Sequence, residues 1–147
     1  MKPITPITCP VAPSFFWHEL VPEAYYRKFE STPEKFFNLF DDRALRTLQQ
    51  LRDHFGPAVV NNWAAGGKNQ YRGWRPFNCE VGATLSQHKF GRAFDVNFSG
   101  TTAEDARRYI LANPEKFPFI RRIERDVSWL HFDVCMTDGS AIKVIAP

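Results

Sequence analysis

Two short segments of this chain place a large apolar side chain at every second position, and that alternation constrains the fold more than any other feature. In residues 93–98 the larger apolar set is Phe94, Val96 and Phe98, and in residues 129–134 it is Leu130, Phe132 and Val134. Successive side chains of a strand point to opposite faces, so each segment reads as a strand with one face turned to a core. The other faces then carry Ala93, Asp95 and Asn97 from the first strand, and Trp129, His131 and Asp133 from the second. Two strands thus offer a carboxylate and an imidazole to one side of a sheet.

The rest of the chain supplies helices first and strands last. Between Ser14 and Phe29 a short helix carrying His18 and Glu19 is expected, and Ser31-Thr32-Pro33-Glu34 reads as a helix start with proline in its first turn. From Asp42 the set Leu45, Leu48, Leu51 and Phe55 recurs at steps of three and four until Gly56-Pro57, which predicts a helix over 42–55. Ala58-Val59-Val60 reads as a short strand. Residues 63–87 are a long irregular stretch, and a loop of that length in a compact domain is usually functional. Thr102-x-x-Asp105 opens a helix that runs to about Asn113 and is closed by Pro114. Residues 119–124, 129–134 and 141–145 are three strand candidates with polar turns, the content of an antiparallel meander. The expected class is α+β, a small antiparallel sheet with helices packed on one side. Four prolines, Pro3, Pro6, Pro10 and Pro13, make residues 1–13 an extended N-terminal arm before a single domain over 14–147.

Composition narrows the function classes. The formal net charge is +3 with no run of five or six Lys/Arg, so a nucleic-acid surface is not expected, while a mildly basic surface suits an anionic polymer such as bacterial cell wall. Cys9, Cys79 and Cys135 are odd in number and lack Cys-x-x-Cys spacing, which argues against a disulfide framework and against a cysteine-based zinc knot. The proline-broken N-terminus has no apolar run long enough for a signal peptide or a transmembrane helix. The expectation is a chain made in the cytoplasm, with no membrane partner of its own.

His88 lies in the loop that leads into the first strand, where Gly91 lets the backbone turn and bring the imidazole over Asp95. His88, Asp95 and His131 are three N/O ligands with a fourth position left to water, the pattern of a catalytic zinc site with one Zn2+ per chain. His18 and His54 read as ordinary surface or core histidines. Other catalytic signatures, His-Glu-x-x-His, the phosphate-cradling Gly-x-x-x-x-Gly-Lys and the Gly-x-Ser-x-Gly elbow, are missing.

These residues carry a resemblance. Ser86, His88, Gly91, Ala93 and Asp95 match a Ser-x-His-x-x-Gly-x-Ala-x-Asp segment, and Trp129 with His131 matches a later Trp-x-His. Over roughly residues 35–135 the chain resembles the zinc D-alanyl-D-alanine carboxypeptidase family. That is the Hedgehog/DD-peptidase fold, which includes phage L-alanyl-D-glutamate endolysins. The resemblance implies a zinc peptidase that hydrolyses a bond in peptidoglycan stem peptides, with His88, Asp95 and His131 as ligands. It implies an oxyanion-stabilising arginine in the loop before the first motif, for which Arg75 is the matching position and Arg72 the second choice. Ser86 and Trp129 are the expected substrate-binding residues, Trp129 as groove lining. It also implies delivery to the wall either by a membrane-permeabilising partner of the holin type or within a phage virion, alongside other virion proteins.

The chain departs from that pattern in one place. Many relatives hold the general base three residues before the last ligand, where this chain has Ser128. A hydroxyl cannot take a proton from water near neutral pH as a carboxylate can. Others place a glutamate on the preceding strand, a placement that Glu124 fits, with Asp126 as second choice. Asp133 could instead orient a ligand. Ser128 keeps open a second expectation, a zinc-containing structural or wall-binding protein without activity.

Overall fold

In the computed structural model, which describes residues 3–147, the chain is an α+β unit with a five-stranded sheet. The strands are β1 (Ala58–Val59), β2 (Ala93–Phe98), β3 (Arg122–Glu124), β4 (Leu130–Asp133) and β5 (Lys143–Ile145), and the helices are α1 (Glu23–Phe29), α2 (Asp42–Phe55) and α3 (Ala103–Ala112). Across the sheet the order is β1-β2-β4-β3-β5, with every pair antiparallel except β3 and β5. Among the described residues no helix is long and apolar enough to cross a membrane.

The apolar faces read from the sequence form the core. Phe94, Val96, Leu130 and Phe132 are fully buried together with Leu48 and Leu51 of α2 and Ala106 and Ile110 of α3. Phe94 lies between Phe40, with centroids at 5.8 Å, and Phe132, at 5.9 Å. Helix α2 occupies the expected residues, and Asp41 caps it by accepting from the Arg43 N–H at 2.9 Å. Helix α3 is capped by Thr102, whose hydroxyl accepts from the Asp105 N–H.

Three expectations of secondary structure are corrected. The segment 14–29 is not one helix: a 3-10 turn over Trp17–Glu19 ends before Pro22, and α1 starts after it. Proline has no N–H to donate and its ring crowds the preceding turn, so it starts a helix rather than continuing one. The helix start at 31–34 leads into a 3-10 stretch over Pro33–Leu39. The last three strands are not a meander. Both edges of β4 are already taken, by β2 and β3, so the chain leaving β4 passes over to the free edge of β3, and β5 pairs there in parallel.

The proline-rich segment lies against the body, but it is extended only over residues 3–9; residues 10–14 bend back, which corrects the expectation of an extended arm up to residue 13. Cys9 and Ala12 are fully buried, Thr8 bridges Phe16, and the Tyr26 hydroxyl donates to the Thr5 carbonyl at 2.6 Å. Met1 and Lys2 lie outside the described residues. The three cysteines are free thiols.

Candidate metal centre

The sheet register brings the first two site residues together. Asp95 of β2 and His131 of β4 are directly opposed partners in the antiparallel ladder, which sets their side chains next to each other on the face away from the helices. His131 Nδ1 is 2.8 Å from Asp95 Oδ1. His88 arrives from a 3-10 turn, Gln87–Phe90, capped by Ser86, whose hydroxyl accepts from the His88 N–H, and ended by Gly91 at φ +67°. The positive φ turns the chain directly into β2. His88 Nε2 then lies 3.3 Å from the same Asp95 oxygen.

All three residues are buried: His88 is 1% exposed, Asp95 6% and His131 7%. Alternation alone would leave this polar face open to water. The loop over 63–92 covers it, and the Arg72 carbonyl carries on the edge of β2 where β1 stops, accepting from the Asp95 N–H at 2.9 Å.

The donor set fits a metal ion. His88 Nδ1 is fixed by the Gly73 carbonyl at 2.8 Å, so that nitrogen carries the proton and Nε2 presents its lone pair. Nε2 is fully buried and has no hydrogen-bond partner, an arrangement that costs stability unless something else is bound there. His131 is held in the same way, with Nε2 3.2 Å from Asp133 Oδ2 and Nδ1 turned toward Asp95. Metal-ligating histidines almost always donate their other ring N–H to a carbonyl or carboxylate. The atoms that can act as ligands all lie within 4.8 Å of one another.

Asp133 is itself fully buried and gripped by Arg122, with Nη2 to Oδ2 at 3.0 Å. Burial alone would raise its pKa, but the hydrogen bonds from His131 and Arg122 hold it below the usual carboxylate range. Asp95 likewise stays ionised against its burial, held by the hydrogen bond from His131. Burial depresses the pKa of His88, which keeps it neutral. For His131, burial is outweighed by the hydrogen bonds to Asp133 and Asp95, and its pKa is pushed up to about 9.

A pH dependence follows. A metal ion held here would compete with the proton for His131 Nδ1, so affinity for it is expected to fall as pH drops below about 9. With one competing proton the change is about tenfold per pH unit between pH 6.5 and 8.5. Calorimetric titration with zinc at several pH values in that window, with the proton release read from buffers of different ionisation enthalpy, checks both the sign and the slope.

Around the triad lies a cleft of about 560 Å³ whose lining includes Arg75, Ser86, Arg122, Glu124 and Trp129. Glu124 is the carboxylate nearest the open side, with Oε2 4.0 Å from His131 Nδ1. Asp126 sits at the exposed β3–β4 turn with φ +60° and pairs with Arg125, outside the cleft. Ser128 is exposed, and it is its carbonyl that is used, accepting from Asn97 Nδ2 at 2.9 Å. Arg75 is 8% exposed: Nε donates to the Tyr71 carbonyl at 2.6 Å, while Nη2 lies 3.4 Å from Asp95 Oδ2. Arg72 does not face the triad; its guanidinium lies over Trp129, 5.2 Å from the ring centroid.

The reading of the sequence did not include two participants. Arg122 has a signal, since alternation along β3 places it on the same face as Glu124 and its partner in the ladder is Asp133. The Gly73 carbonyl has none, because any residue would supply one. His18 and His54 stand apart from the site, His18 against Tyr26 and Trp63 and His54 stacked on Tyr109 at 4.3 Å.

Compared with protein-family models, with curated proteins and with solved structures, the chain finds no match in any of the three, so the centre is interpreted from its own geometry.

Proposed function

We propose that this chain is a zinc-dependent peptidase of the D-alanyl-D-alanine carboxypeptidase type, hydrolysing a peptide bond in peptidoglycan stems. The observation that carries the reading is a conjunction: three convergent ligand atoms, one carboxylate and one buried guanidinium share a single cleft. His88, Asp95 and His131 would hold the ion, which when bound supplies Lewis acidity toward the scissile carbonyl and the attacking water. Three protein ligands leave a coordination position for that chemistry.

The chain's own residues divide the remaining work. Glu124 accepts the proton of the attacking water and returns it to the departing amine, the role a carboxylate can fill and Ser128 cannot. Arg75, held by the Tyr71 carbonyl, presents a fixed positive charge where the oxyanion develops. Gly73 and Asp133 hold the two imidazoles in the tautomers that ligation needs. Trp129 gives the peptide a flat wall.

The test is release of stem peptide from purified peptidoglycan, read by mass spectrometry of the soluble fraction. Zinc-loaded protein is expected to release peptide with a new terminus, release stops with a chelator, and it returns on adding zinc. Protein that holds one zinc and releases nothing would contradict the reading and favour a wall-binding role.

A further inference from the structure

Beside the metal cleft lies a second lobe of about 320 Å³, and the two share Arg75, Val81, Asp95 and Trp129 as common wall. The second lobe adds Lys68, Tyr71 and Arg72. Its charge is one-sided. Asp95 is its one acid, and that carboxylate is already engaged by His131 and Arg75. Among the described residues no carboxylate lies within salt-bridge distance of Lys68 or Arg72.

Arg72 is held in place before any ligand arrives. Its backbone N–H donates to Asn61 Oδ1 at 2.9 Å, and its carbonyl accepts from Asp95. Its guanidinium donates through Nη1 to Asn97 Oδ1, and the other end of that amide is fixed by the Ser128 carbonyl. The guanidinium carbon lies over the Trp129 ring, 5.2 Å from its centroid. A guanidinium held at one nitrogen and set over an aromatic face leaves its remaining donors in a fixed fork, the geometry that matches a carboxylate.

We propose that this lobe is a carboxylate-binding subsite, with Arg72 on Trp129 as the binding group, which selects peptides carrying a free carboxylate close to the scissile bond. The inference rests on the peptidase reading for the word scissile, but the binding does not depend on turnover. Two carboxylates of a stem peptide have this chemistry: the free carboxylate of an internal glutamate and the carboxylate at the chain end. The first would make the chain cut within the stem, the second at its end.

The probe is the pentapeptide L-Ala-γ-D-Glu-L-Lys-D-Ala-D-Ala in four forms, with each of its two carboxylates either free or amidated. Binding is measured by calorimetry on zinc-loaded Glu124→Gln protein, which holds the peptide uncleaved. Amidating one of the two carboxylates is expected to weaken binding about 10- to 100-fold. That dependence falls to near one in Arg72→Gln and is partly kept in Arg72→Lys, which retains the charge without the planar fork. Arg108→Gln, on the exposed side of α3, keeps the full dependence. Which carboxylate matters identifies the source. Equal binding of all four peptides, or a dependence that survives in Arg72→Gln, would overturn the subsite. Hydrolysis by wild-type protein is scored separately, so a carboxylate-dependent binder that cuts none of the four would sink the peptidase reading and leave the subsite standing.

Discussion

Glu124→Gln is expected to lower peptide release about 10²- to 10⁴-fold, the usual contribution of a positioned general base, while the protein still holds its zinc. Glutamine keeps the size and the hydrogen bonds of the side chain but cannot accept a proton near neutral pH. The residue is well placed for the comparison: it is partly buried on β3, its carboxylate is 4.0 Å from a ligand nitrogen, and it lines the metal cleft. Because Glu124 is not among the three convergent ligands, its loss should separate turnover from metal binding. Single-turnover assays beside zinc titrations give both numbers. Release that persists within a few-fold of wild type would remove Glu124 from the chemistry and return attention to another base.

Gly91→Ala is expected to be the most destabilising single-methyl change near the site. Gly91 sits at φ +67°, where a side chain is strained, and an added Cβ would stand 2.0 Å from the Leu39 carbonyl oxygen and 2.5 Å from Phe40 Cα. Both are backbone atoms, so no rotamer change relieves the contact. Left-handed strain of about 1 kcal/mol and overpacking of about 1–3 kcal/mol together give a loss of about 3 kcal/mol. For a domain of this size that is about 6–12 °C in Tm. The same change should weaken zinc binding, since Gly91 ends the turn that carries His88. Gly139→Ala, where an added Cβ meets nothing within 4 Å, is the control and should be close to neutral. Urea unfolding of the two variants checks the difference; equal midpoints would contradict the account of the turn.

The parts of the fold that were legible in the sequence are those fixed by short-range periodicity. Strand β2 and helices α2 and α3 fall where alternation, three-to-four spacing and caps place them. The same alternation put Asp95 and His131 on one face, and the ladder makes them direct partners. What could not be read depends on contacts between distant segments. The parallel docking of β5 on β3 follows from which sheet edges are already occupied, a property of the assembled sheet and not of residues 141–145 themselves. The burial of the triad depends on where the loop over 63–92 lies, and the Gly73 carbonyl that orients His88 is a backbone group with no sequence signature. Arg122 was readable from the period of β3, once that strand was known to neighbour β4.

The most direct measurement is the zinc content and affinity of the purified protein, by elemental analysis and competitive titration, for wild type and for His88→Ala. The account predicts one zinc per wild-type chain. It also predicts a loss of affinity of about 100-fold or more in His88→Ala, beyond the 10–100-fold typical when a residue that only orients a ligand is removed. A wild-type chain that takes up no zinc, or a His88→Ala chain that binds it as tightly as wild type, would contradict the claim that His88, Asp95 and His131 form a metal centre.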